Sequence, residues 1–88
     1  MKLSDQFILR NICGDSLLVP LGDKSREYNG IFTLSETGAF ILTRILDDKD
    51  ESETASLLSQ EFDIDYQSAY DDTVSFISSL KEYGVLTD

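Results

Sequence analysis

The spacing of the apolar residues changes at Leu34, and this change limits what the chain can fold into. Before Leu34, short runs of β-forming residues are separated by glycine-containing turns, which is typical of strands. After Leu34, apolar residues recur about every 3.6 positions, which is typical of amphipathic helices. Because an 88-residue chain is too short to support two cores, we expect one α+β domain over residues 1–88, with strands first and helices last.

The N-terminal part contains three predicted strands. Phe7–Cys13 and Leu17–Val19 flank a glycine-containing turn at residues 14–16, which predicts an antiparallel hairpin. Residues 21–30 carry two further glycine turn signals and are expected to form a polar loop. Ile31–Leu34 is then a short third strand, which completes a three-stranded antiparallel sheet.

Three helices are predicted after the strands, each preceded by a residue that can cap its first turn. Ser35, Asp50 and Asp65 occupy these positions, and Asp50 with Glu53 has the spacing of a capping box. The first helix should end at residues 47–48, the second after Phe62, and the third before Gly84. The predicted order is β-β-β-α-α-α.

The charge of the chain argues against a nucleic-acid partner. Seventeen acidic and seven basic residues give a net charge of −10, which repels phosphates. Ten of the acids lie between Asp47 and Asp72, where Lys49 is the single base. This segment is either a solvated helical surface that aids solubility or a surface that steers a basic partner.

The usual catalytic and metal-binding residues are scarce. The sequence has no histidine, and Cys13 is its only cysteine, so neither a paired nucleophile nor an internal disulfide can form. Asp71 and Asp72 are adjacent and would point about 100° apart on a helix. Asp63-Ile64-Asp65 lacks the glycine and glutamate that complete a calcium loop. We expect no enzymatic activity, no metal and no cofactor.

The N-terminus and the hydropathy predict a cytoplasmic protein. Met1–Gln6 carries an early acid and no long apolar run, unlike a signal peptide. No apolar stretch approaches the roughly 20 residues that cross a membrane. A single cysteine also fits a reducing compartment.

Residues 31–42, Ile-Phe-Thr-Leu-Ser-Glu-Thr-Gly-Ala-Phe-Ile-Leu, resemble the strand-to-helix segment of the PqqD-like family. The likeness continues through Ile45–Asp48, Glu61–Asp65 and Ser79–Leu86, and so covers most of the chain after the hairpin. The chain departs from the family pattern at three places. These are Asp48 in place of glycine, Thr54 in place of an aliphatic residue, and Phe40 in place of a small residue.

This resemblance implies a winged helix-turn-helix-like fold that recognises ribosomally made, post-translationally modified peptides. In that family the leader of a precursor peptide adds as a strand to the third strand and lies against the third helix. A separate modifying enzyme, such as a radical SAM enzyme or a peptidase, then acts on the core peptide. The implied partners are therefore a precursor peptide and its enzyme, with no cofactor.

The resemblance also suggests which residues meet each partner. Backbone groups of Ile31, Phe32 and Thr33 would pair with the leader. One face of the third helix would form the floor, with Asp71 and Asp72 as contacts for basic leader residues. The residues of that face are Tyr70, Val74 and Ile77. Phe76, Leu80 and Tyr83, on the other side of the helix, are assigned to packing.

Phe40 lies nearly opposite the apolar stripe of the first helix and is expected either to pack under the first hairpin or to remain exposed. With Arg44 it is the candidate contact for the partner enzyme.

Two other functions remain open from the sequence alone. The same helices could form a DNA-binding winged helix, although residues 65–83 hold four acids and only one base, Lys81. The chain could also be a protein–protein adaptor without a precursor peptide. An unpaired edge strand could make the protein an edge-to-edge dimer as readily as a monomer.

Overall fold

The computed structural model describes residues 1–28 and 30–88, in which strands and helices are arranged as an α+β fold. The strands are β1 (Lys2–Leu3), β2 (Phe7–Ile12), β3 (Asp15–Pro20), β4 (Phe32–Leu34) and β5 (Leu86–Thr87). The helices are α1 (Asp23–Glu27), α2 (Glu36–Leu46), α3 (Glu51–Phe62) and α4 (Tyr66–Glu82).

The predicted three-stranded antiparallel sheet is confirmed, with the strand order β2-β3-β4. Its hairpin turn is tighter than predicted, because it consists of Cys13 and Gly14 alone. Both residues have positive φ, 53° and 84°, as a type I′ turn requires. The predicted third strand begins one residue late, since Ile31 precedes β4 and is 58% exposed.

The predicted order β-β-β-α-α-α is incomplete in two places. Residues 21–30 were expected to form only a loop, but they contain α1. Tyr28, which directly follows α1, donates a hydrogen bond from its hydroxyl to the Tyr83 carbonyl. Asn29 lies outside the described residues. The predicted order also has no strand at either chain end, whereas β1 pairs antiparallel with β5 through Lys2–Thr87 and Leu3–Leu86.

All three predicted helix caps are confirmed. The Ser35 side chain accepts from the Gly38 N–H, and Asp65 accepts from the Ser68 N–H and hydroxyl. Hydrogen bonds from Ser68 hold the pKa of the Asp65 carboxyl below its ordinary value. Asp50 and Glu53 form the complete capping box of α3.

The core lies between the sheet and the three long helices. Leu18 of β3, Leu42 of α2, Leu58 of α3 and Ile77 of α4 are among its fully buried side chains. Because α4 packs against both α2 and α3, its two sides have different surroundings. That arrangement decides which side of α4 can meet a ligand.

Within residues 1–28 and 30–88, no helix combines the length and apolarity needed to cross a membrane.

The capping box of α3 gives a stability prediction. Asp50→Ala removes the acceptor that takes the Glu53 N–H at 2.7 Å, and should destabilise the fold by about 1 kcal/mol. For a domain of this size that loss corresponds to a decrease in Tm of roughly 4–8 °C. Asp50→Asn keeps an acceptor and should lose less, as thermal unfolding followed by circular dichroism would measure. Equal losses for both variants would contradict the assigned role of the cap.

Candidate functional site

An apolar groove runs between β4 and α4. It encloses about 290 Å³ and is called the β4–α4 groove below. One wall comes from the sheet and the other from the C-terminal half of α4, with Tyr28 and Val85 closing the end. Its lining residues are Leu18, Tyr28, Phe32, Thr33, Leu34, Phe76, Ser79, Leu80, Tyr83 and Val85.

Aromatic rings define one end of the β4–α4 groove. The Tyr28 ring meets Phe32 edge-on at 5.4 Å and Tyr83 edge-on at 6.0 Å between centroids. The Tyr28 hydroxyl donates a hydrogen bond of 3.1 Å to the Tyr83 carbonyl, which ties the segment after α1 to the end of α4. Tyr83 nevertheless stays 51% exposed, so its ring can accept a further apolar contact.

A second, polar concavity of about 270 Å³ adjoins the groove beyond Phe76. It lies between the start of α2 and α4, and we call it the polar extension. Ser75 and Ser79 contribute hydroxyl groups, and Asp72 contributes a carboxylate. The Phe76 ring separates it from the apolar groove and packs closely on α2. A Cβ on Gly38 would lie 3.1 Å from Cζ of Phe76, so glycine permits this approach.

The hydrogen-bond pattern of the sheet can be traced from the hairpin turn. In a two-residue type I′ hairpin, the residues that flank the turn, Ile12 and Asp15, form a hydrogen-bonded pair. Hydrogen-bonded and non-bonded pairs alternate along antiparallel strands, so Leu17 bonds to β2 and Leu18 does not. Pro20, which has no N–H to donate, falls on a non-bonded position, in agreement with this assignment.

The same alternation identifies the free backbone groups of β4. Leu18 directs its N–H and C=O toward β4, where it pairs with Phe32, and Ser16 likewise pairs with Leu34. Thr33 lies opposite Leu17, between these two bonded pairs. Its N–H and C=O therefore point away from β3, toward the open edge beside the β4–α4 groove.

The structure does not bring the four residues selected on α4 to this groove. Ile77 is 2% exposed and lies in the core, while Val74 is partly buried. Tyr70 packs edge-on against Tyr66 at 6.0 Å, and Asp71 accepts a hydrogen bond from the Gln67 side chain. Of the residues selected on the sheet side, Phe32 and Thr33 line the groove, and Ile31 lies next to it along the chain.

The groove instead takes its α4 wall from the side that sequence reasoning assigned to packing. Phe76, Leu80 and Tyr83 follow one another at the same helical spacing as Tyr70, Val74 and Ile77. Periodicity alone could not distinguish the two stripes, because both are apolar. The packing of the other helices distinguishes them, since Ile77 is 2% exposed and Tyr83 is 51% exposed.

Phe40 and Arg44 lie outside the groove and contact each other. The Arg44 guanidinium carbon lies 4.7 Å from the centroid of the Phe40 ring, and Phe40 meets Phe62 edge-on at 5.6 Å. Phe40 is thus half-buried, and its ring packs on Phe62 of α3. Its outer edge faces a separate cavity between α2, α3 and the hairpin turn.

No group of three or more acidic or cysteine side chains in the described part of the chain is arranged to hold a metal ion.

Two solved structures are similar to this chain. One is a lasso peptide synthetase B1 complexed with the leader peptide, at 22% identity with a TM-score of 0.84, covering 99% of this chain and 96% of that chain. The other is TbiB1 in complex with the TbiA(beta) leader peptide, at 21% identity with a TM-score of 0.79, covering both chains completely. The curated proteins contain no significant sequence match.

The sequence profile of a family described as coenzyme PQQ synthesis protein D (PqqD) matches residues 18–86. The matched range begins within β3, includes both walls of the β4–α4 groove and ends in β5. It therefore covers most of the chain and agrees with the resemblance found at residues 31–42, so that this chain belongs to the PqqD family.

Proposed function

We propose that this protein binds the leader segment of a ribosomally made precursor peptide and presents the precursor to a modifying enzyme in the cytoplasm. The leader adds to β4 as a fourth strand and places its side chains in the β4–α4 groove. One observation carries this proposal: the free backbone groups of Thr33 border an apolar groove that has room for another chain. The protein acts as a winged-helix-like recognition element and performs no chemistry itself.

The β4 edge suits a peptide better than the opposite edge of the sheet. A strand added beside β4 has α4 beneath it, which supplies Phe76 and Tyr83 as apolar contacts. The edge formed by β2 ends in the exposed residues Arg10, Asn11 and Ile12, and β2 lines neither the groove nor its polar extension. Backbone pairing gives affinity on either edge, but only β4 adds selectivity for side chains.

Membership of the PqqD family supports a leader peptide as the ligand. Both similar solved structures are complexes with leader peptides, and their chains match this one over nearly its whole length. The net charge of −10 makes the alternative of a DNA-binding winged helix unfavourable. A protein–protein adaptor with no precursor peptide is the outcome if no leader binds.

The groove also indicates what kind of leader it selects. Its Tyr28 and Tyr83 end is apolar and favours an aromatic or aliphatic side chain. The polar extension carries Asp72 and favours a basic or hydroxyl-bearing side chain. The sequence suggested both Asp71 and Asp72 for this contact, and of the two Asp72 lines the polar extension.

The exposed tyrosines of α4 provide a matched test of the groove. Tyr83→Ala should weaken leader binding about tenfold, because a half-exposed aromatic that lines a peptide groove commonly contributes more than 1 kcal/mol. Tyr66→Ala removes a similarly exposed ring, 44% against 51%, at the other end of the helix and should leave affinity unchanged. The measurement is fluorescence anisotropy with labelled leader segments of candidate precursor peptides from the source genome. Equal effects of both variants would place the ligand elsewhere.

The backbone of Thr33 can be tested separately from its side chain. Thr33→Pro removes the outward N–H while the bonded pairs of Phe32 and Leu34 remain, so it should cost about tenfold or more in leader affinity. Thr33→Val keeps the N–H and should bind like the wild type. If Thr33→Pro, shown by circular dichroism to be folded, binds leaders normally, then strand addition to β4 is wrong.

The proposed contact of Asp72 with the leader predicts how salt affects leader binding. If its carboxylate meets a basic leader residue, the affinity of the wild type should fall as ionic strength rises from 50 to about 500 mM, because salt screens exposed charges. The affinity of Asp72→Asn should be lower at low salt and less sensitive to salt. Asp71→Asn is the matched control and should retain the wild-type salt dependence. A wild-type affinity that does not change with salt would contradict the contact.

A further inference from the structure

Another cavity, separate from the β4–α4 groove and its polar extension, lies on the other side of α2. It encloses about 800 Å³ between the hairpin turn, the first half of α2 and the end of α3, and we call it the α2–α3 cavity. Phe40 and Phe62 line it as an edge-to-face pair with their centroids 5.6 Å apart. Both rings are half-buried, so each contributes to the core and also presents an edge to the cavity.

The charged groups that line the α2–α3 cavity are all acidic. Asp15 extends from the hairpin, Glu36 from the first turn of α2 and Glu61 from the last turn of α3. All three are exposed, and none belongs to an ion pair among residues 1–28 and 30–88. An apolar floor with a charged rim is the arrangement found at protein interfaces, and the sign of this rim selects a basic partner.

The α2–α3 cavity and the leader site share a wall but do not overlap. Leu34 lines the cavity and the β4–α4 groove, while Ser35 lines the cavity and the polar extension. In the first half of α2, Phe40 lines the α2–α3 cavity and Gly38 lines the polar extension. The α2–α3 cavity is therefore next to the leader site, and the remaining residues that line it belong to neither the β4–α4 groove nor its polar extension.

We infer that the α2–α3 cavity docks a basic segment of the modifying enzyme, one that carries an apolar side chain flanked by lysine or arginine. The apolar side chain would meet Phe40 and Phe62, and the cations would pair with Asp15, Glu36 and Glu61. The Arg44 guanidinium carbon lies 4.7 Å from the centroid of the Phe40 ring, as a cation–π contact. This inference rests on the proposed function, because it assigns the enzyme a surface next to the bound leader.

The test is a charge reversal at the rim that leaves the aromatic floor and the fold intact. Asp15→Lys/Glu61→Lys should weaken binding to the purified enzyme that modifies the precursor by tenfold or more. Binding to the leader should be unchanged, because neither residue lines the groove or its polar extension. Asp5→Lys/Asp71→Lys changes the net charge equally at exposed sites outside the cavity and should bind both partners like the wild type. Surface plasmon resonance measures both affinities, and circular dichroism confirms folding.

The outcomes separate the inference from the proposed function. Unchanged enzyme affinity in Asp15→Lys/Glu61→Lys, or an equal loss in Asp5→Lys/Asp71→Lys, overturns the docking site while leader binding still supports the proposed function. Absence of any wild-type enzyme binding also overturns it. If the wild type binds the enzyme through the cavity but binds no leader, the docking site stands and the proposed function fails.

Discussion

The proposed peptide site depends on a strand, β4, that is hydrogen-bonded to the sheet on one side only. β4 is three residues long, pairs with β3, and leaves the N–H and C=O of Thr33 directed outward. An exposed edge of this kind is a template for another extended chain. In this protein α4 runs close to that edge and faces it with apolar side chains, so that a strand added to β4 would be partly covered by a helix. Backbone pairing and side-chain selection are thereby combined at one place.

Other parts of the fold maintain this arrangement. Tyr28, which follows α1, bonds to the Tyr83 carbonyl and closes the apolar end of the groove. At the other end, Gly38 allows the Phe76 ring to approach the start of α2, so the ring divides the apolar groove from its polar extension. The β1–β5 pair holds the segment that follows α4 against the N-terminal strand. The site is therefore built from contacts between segments that are far apart in sequence.

The main elements could be predicted from the sequence because their signals are local. The caps at Ser35, Asp50 and Asp65 lie within three residues of the groups they bond, and the hairpin joins adjacent segments, although its two-residue turn lies at residues 13–14 and not at 14–16. α1 and the β1–β5 pair could not be predicted in this way, because they are only five and two residues long and depend on distant partners. The groove side of α4 was missed for a related reason. Both of its stripes are apolar at the same spacing, and only the packing of α2 and α3 buries Ile77 and leaves Tyr83 accessible.

Amide hydrogen exchange at β4, measured by NMR with and without a leader peptide, tests strand addition most directly. In the free protein the Thr33 amide should exchange quickly while the Phe32 and Leu34 amides, bonded to β3, are protected. On leader binding, exchange at Thr33 should slow by more than about tenfold, as expected when an amide gains a backbone partner. Leader binding that leaves the exchange of Thr33 unchanged would contradict a fourth strand on β4.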